Sequence, residues 1–132
     1  ALDSLGVTNG ASHTEYKITE DGRIYIIELG ARMGGDFIGS DLVYLSTGYD
    51  FVKGVIEVAL GQFKVPGFES GYYSGIYFLC KETERLFDLV SGKVDNEWTV
   101  RKEITGEELK NVRCSSDRNG YLIYQSDKKI IL

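Results

Sequence analysis

The sequence predicts an α+β fold in two parts, on three observations. An Asp-Gly turn joins two stretches of alternating polarity near the start of the chain. Two apolar stripes at helical spacing follow it, between residues 37 and 61. Beyond the only proline, Pro66, the texture changes to short, tyrosine-rich strands. The expected division is residues 1–65, a sheet with two helices on one face, and residues 66–132, a small, mostly β region.

Each element has a local reason. "ALDSLG" reads as the last turns of a helix closed by Gly6 at the C′ position, so the chain is expected to be cut from something longer. Residues 11–20 and 23–29 alternate as strands, and Asp21-Gly22 is a two-residue hairpin signal. "GARMGGD" is a glycine-rich loop. A helix over about 37–47 carries Ile38, Leu42 and Leu45 on one stripe, with Gly48 after its end. The next helix has Asp50 as N-cap, Val52, Val55, Ile56, Ala59 and Leu60 as its apolar face, and Gly61 at C′. Residues 72–80 and 97–105 read as strands. Thr105-Gly-Glu-Glu108 is a capping box on a short helix or turn. Asn119-Gly120 reads as a second hairpin turn, pairing 112–118 with 121–126. Residues 82–92 are ambiguous between strand and helix.

Bulk properties narrow the function. The 132 residues are 42% hydrophobic and 27% charged, as in an ordinary globular protein. A net charge of -5 gives no basic surface for nucleic acid or anionic lipid. No apolar run reaches the ~20 residues of a membrane span. With no targeting pattern and two cysteines, Cys80 and Cys114, read as buried or half-buried thiols, the expected location is cytoplasmic. A single histidine, His13, rules out a multi-histidine metal site.

The chemistry lies in residues 13–36. With Asp21-Gly22 as a two-residue loop, Glu20 faces Arg23, Glu15 lies opposite Glu28 and His13 opposite Gly30. Opposed side chains have Cβ atoms about 4.5–5.5 Å apart, and like charges there are destabilising. A divalent cation reverses that sign: Mg²⁺ takes carboxylate oxygens, keeps several waters and completes its shell with substrate phosphates. Arg32, four residues past Glu28, supplies a bidentate fork for phosphate or carboxylate. Gly34-Gly35 lets backbone N–H groups approach an anion closely. The same spacing also fits solvated glutamates paired with Arg32 and glycines that merely turn the chain. His13 is read as a residue beside the site rather than a ligand, and the tyrosines after residue 70 as core and cross-strand pairs.

The stretch "SHTEYKITEDGRIYIIELGARMGGDFIGSDL" resembles the metal-binding hairpin of ATP-grasp enzymes, nearest to the carboxylate–amine ligase branch that includes L-amino acid ligases. That branch shows a His-x-Glu strand, a short turn, and an Ile-Glu-x-x-x-Arg-x-Gly-Gly strand and loop. These stand here as His13, Glu15, Ile27-Glu28, Arg32 and Gly34-Gly35. The likeness runs to about residue 65; the tyrosine-rich remainder is similar in position and length to the small C-terminal domain of those ligases, with a weak sequence match. The resemblance implies that residues 1–65 are the C-terminal half of an ATP-grasp domain. It implies Mg²⁺ (or Mn²⁺) on Glu15 and Glu28, ATP as co-substrate, and Arg32 as the catalytic grip on the transferring phosphoryl group and the acyl-phosphate. Gly34, Gly35 and His13 would assist at the phosphate and substrate. Small carboxylate and amine substrates are implied as partners.

There is one departure. Many ATP-grasp enzymes carry Asn two residues after the second Glu; Gly30 stands there, which tilts the resemblance toward the amino-acid-ligase branch. No phosphate-covering loop, paired nucleotide lysines or adenine-hinge strand is found in the 132 residues. By resemblance these belong to N-terminal subdomains of the same protein, so the chain alone is expected to be inactive. Apolar surface left where they pack carries a risk of self-association, including a homodimer. Two rivals remain: another ATP-grasp outcome, such as carboxylation or a purine-pathway ligation, and a non-catalytic interaction module.

Overall fold

The computed structural model describes residues 1–67 and 71–132. It is α+β, with two separate antiparallel sheets and a few short helices. The chain clusters into two compact units, residues 1–44 with 49–67, and residues 45–48 with the stretch beyond 67.

The first unit opens on a single 3₁₀ turn, Asp3–Leu5, ended by Gly6 in the left-handed region at φ 71°. Its sheet is a hairpin of β1 (His13–Ile18) and β2 (Ile24–Gly30). The loop takes three residues, not the expected two. Thr19 and Arg23 pair at its base, and the Gly22 N–H donates to the Thr19 carbonyl at 2.9 Å. Gly22 sits at φ 80°, the left-handed residue that closes a three-residue loop. Asp21 fastens the turn by accepting from the Thr19 hydroxyl and from Arg23 Nε, the latter at 2.6 Å.

Helical structure follows the glycine-rich loop, though not as one regular helix. Residues Ile38–Leu42 form a wide π-type turn that runs into α1 (Val43–Thr47). Phe37, expected as the first helical residue, is left-handed at φ 63° and stands outside it. The wide turn brings Gly39 under the Met33 side chain, so close that a Cβ at Gly39 would collide with it. Helix α2 (Phe51–Ala59) matches its local signals: the Asp50 carboxylate accepts from the Lys53 N–H at 2.9 Å, and Gly61 follows at φ 66°.

The second unit holds the core. Its sheet is ordered β3 (Tyr73–Leu79), β5 (Gly120–Ser126), β4 (Thr99–Ile104), all antiparallel, with β5 in the middle. Residues 82–92 resolve as helical, a 3₁₀ stretch Lys81–Leu86 leading into α3 (Phe87–Val90). Thr83 starts it by accepting from the Cys80 N–H and donating to the Phe78 carbonyl. Leu86 and Val90, one turn apart, then pack with Leu79, Leu122 and Tyr124. Tyr77 stacks on Tyr124 at 5.9 Å, and Trp98 meets the same ring edge-on at 6.2 Å.

Three expectations fail in this unit. Asn119-Gly120 is no hairpin turn. Asn119 is buried, its N–H donates to the Leu79 carbonyl, its carbonyl accepts from Thr105, and its Oδ1 accepts from the Lys110 N–H. Those bonds place the dipeptide at the head of a central strand whose partners are β3 and β4, not residues 112–118. The capping box at 105–108 starts neither helix nor hydrogen-bonded turn: the Thr105 N–H that the Glu108 side chain would cap donates to the Asn119 carbonyl instead, as does the Gly106 N–H. Cys80 is buried as expected, but Cys114 is exposed. Among the described residues no helix is long and apolar enough to cross a membrane.

Candidate active site on the hairpin

The six residues singled out by sequence all lie in the first unit, at the open end of the hairpin and the loop that follows. Glu15 is paired directly with Glu28, and His13 with Gly30. The route to this register differs from the one predicted. The three-residue loop shifts the pairing by one, so that Tyr16 faces Ile26; a bulge at Ile27 then restores it, and Glu15 faces Glu28. Bulges re-aim side chains and are common beside active sites. Two carboxylates therefore face each other across the ladder, with solvent reaching both.

Arg32 supplies the counter-charge. Its Nη2 lies 3.2 Å from Glu28 Oε1, and its Nη1 donates to the Met33 carbonyl at 3.0 Å. Gly30 makes room for it: a Cβ there would come within 3.3 Å of Arg32 Cγ.

The two loop glycines serve different ends. Gly34 is hemmed in, since a Cβ would lie 3.0 Å from His13 Cδ2 and 3.2 Å from Ile38 Cβ. His13 thus props the loop with its ring, and its buried Nδ1 has no hydrogen-bond partner. Gly35 is exposed and faces open space, with nothing within 4 Å of a Cβ. After it come two consecutive residues at positive φ, Asp36 at 50° and Phe37 at 63°. A bulky residue in that region is strained, and such strain clusters at ligand-binding loops. Aspartate tolerates left-handed backbone, but nothing in the sequence signals it at Phe37, since phenylalanine has no preference for that region.

No group of three or more His, Cys, Asp or Glu side chains that could hold a metal occurs among the described residues. Glu15 and Glu28 are two hard oxygen donors open to solvent. They fit a cation of the Mg²⁺ or Mn²⁺ kind that takes the rest of its shell from water and phosphate, and do not fit a closed protein cage.

The hairpin with its loop, the two helices and the small three-stranded sheet match solved structures in fold. No family model matches the chain, and no curated protein matches it by sequence; the likeness is one of fold. The L-amino acid ligase from Bacillus licheniformis superposes over 96% of this chain with a TM-score of 0.69 and 23% identity. The phosphoribosylglycinamide synthetase from Anaerococcus prevotii superposes over 96% with a TM-score of 0.61 and 20% identity. The match covers 33% and 34% of those chains, so this chain spans about one third of the length of either ligase.

Proposed function

We propose that the chain is part of an ATP-dependent ligase that joins a small carboxylate to an amine through an acyl-phosphate. The observation that carries this reading is the directly opposed Glu15–Glu28 pair beside the Arg32 fork, held in register by a bulge. The likeness in fold to an L-amino acid ligase supports it.

In this reading Glu15 and Glu28 hold Mg²⁺ or Mn²⁺, which when bound neutralises charge on the ATP phosphates. Arg32 grips the phosphoryl group as its negative charge spreads in transit, and then the acyl-phosphate. The Gly35 amide reaches the same anion, and Gly34, seated on His13, holds the loop in place. The substrate carboxylate oxygen bonds to the γ-phosphorus of ATP and ADP leaves. The amine then attacks the activated carbonyl carbon, inorganic phosphate leaves, and the amine loses a proton to give the amide. Such transfers depend on positioning and charge neutralisation, which these residues supply. The elements that cradle the nucleotide belong to the remaining length of the enzyme, in N-terminal subdomains that would pack on the exposed apolar hairpin, and the chain by itself is inactive. The likeness to a phosphoribosylglycinamide synthetase favours, as a second reading, another ATP-grasp ligation on the same site.

The test is phosphate release by the full-length enzyme with ATP, Mg²⁺ and a panel of amino acids and small carboxylic acids. Glu28→Gln is expected to lower turnover roughly 10²-fold or more with the fold intact. Near-normal turnover in that variant would sink the assignment.

A further inference from the structure

Arg32 and Glu28 have separate duties in the proposed reaction, one toward an anion and the other toward a cation, yet in this structure they are spent on each other. The guanidinium is tied at two points, to Glu28 Oε1 at 3.2 Å and to the Met33 carbonyl at 3.0 Å. The fold makes room for this arrangement at Gly30, where a Cβ would crowd Arg32 Cγ at 3.3 Å and Nε at 3.6 Å. It also offsets the repulsion between Glu15 and Glu28. A divalent cation between those two carboxylates removes the need for Arg32 and repels it at close range.

We propose that the Arg32–Glu28 ion pair is a latch. Without a cation the guanidinium is parked on Glu28; a cation at Glu15 and Glu28 frees it to swing to a phosphate-bearing ligand. The inference rests on the cation-site reading of Glu15 and Glu28 given above. It adds an order to the site: the anion grip becomes available once the cation is in place, and by linkage the anion in turn favours the cation-bound state. The pair is about half exposed, 59% for Arg32 and 53% for Glu28. An exposed pair of this kind shifts an equilibrium by no more than about five-fold, so the latch yields readily to a divalent ion.

The test is a Mg²⁺ titration of the isotopically labelled full-length enzyme, following two NMR signals. One is the Arg32 Nε–H resonance, identified by its loss in Arg32→Lys; the other is the Glu28 side-chain carboxyl carbon, identified by its loss in Glu28→Gln. The latch requires both to move along one binding curve, with the Arg32 signal approaching that of a solvated arginine. Arg32→Gln should tighten Mg²⁺ binding by about two- to five-fold. If Glu28 responds and Arg32 does not, the latch is overturned and the cation site stands. If neither responds, the cation site fails and the latch falls with it.

Discussion

The hairpin and the three-stranded sheet are both antiparallel, and they solve opposite problems. In the central strand β5 five successive residues, Gly120–Tyr124, are buried, covered by strands on both edges and by Leu79, Leu86 and Val90. In the hairpin Tyr16, Ile18, Ile24, Tyr25, Ile26 and Ile27 are all exposed, though their composition is as apolar as that of β5. Strand pairing alone therefore does not bury side chains; a third strand and a covering helix do. A lone two-stranded hairpin is marginal in water, yet it leaves two carboxylates and an arginine open to ligands.

The largest expected effect tests that contrast directly. Leu122→Ala empties a side chain that is 0% exposed and should cost about 2–5 kcal/mol, read as a lower urea midpoint in Trp98 fluorescence. Ile24→Thr removes a hairpin side chain that is 64% exposed and keeps β propensity, so it should change stability by less than about 0.5 kcal/mol, read from hairpin amide signals. Comparable losses from the two substitutions would mean that the hairpin face is covered in solution.

A smaller effect is expected at two glycines. A Cβ at Gly120 would press on the Glu103 carbonyl at 2.5 Å, with Ile104 Cα at 3.2 Å and Val90 Cγ1 at 3.3 Å. Backbone cannot yield as a side-chain tip can, so Gly120→Ala should loosen the β4–β5 ladder at about 1–3 kcal/mol. Gly35→Ala meets nothing within 4 Å and should leave stability within about 0.5 kcal/mol. Thermal unfolding of both variants checks the pair. A large loss at Gly35 would mean that the loop packs more tightly than its open surroundings imply.

How much was legible in the sequence follows the same divide. The hairpin, its carboxylates, Arg32 and the glycine loop are local features, and local signals found them. Even there, Glu15 met Glu28 through two one-residue departures that cancel, a longer loop and a bulge at Ile27. The three-stranded sheet was harder to read because its order is set by residues distant in sequence. Asn119-Gly120 carries a strong local turn signal, but the side-chain and backbone bonds of Asn119 reach Leu79, Thr105 and Lys110, and those contacts decide its place. The left-handed Phe37 and the wide turn after it had no local signal.

The smallest effect concerns acid. Asp117 is half-buried, and the Arg113 and Cys114 N–H groups donate to its Oδ2 at 2.9 and 3.1 Å, first and second among the influences that hold its carboxyl below the usual 3.8. Asp21 in the hairpin loop is lowered in the same direction, chiefly by the Thr19 hydroxyl and then by Arg23. For a carboxylate lowered on folding, the stabilisation is present above the unfolded value and is lost as pH falls through the folded one. Both turns should therefore hold at neutral pH and weaken below 3.8, with Asp117→Asn and Asp21→Asn each flattening that acid limb. Amide exchange at residues 113–117 and 19–23 reads the two separately. The Asp117 turn relies on main-chain donors fixed by the fold, whereas Asp21 relies on side chains that solvent can compete for. Asp117→Asn should therefore show the larger change, and a larger change at Asp21 would mean that the hairpin loop is the more firmly built of the two.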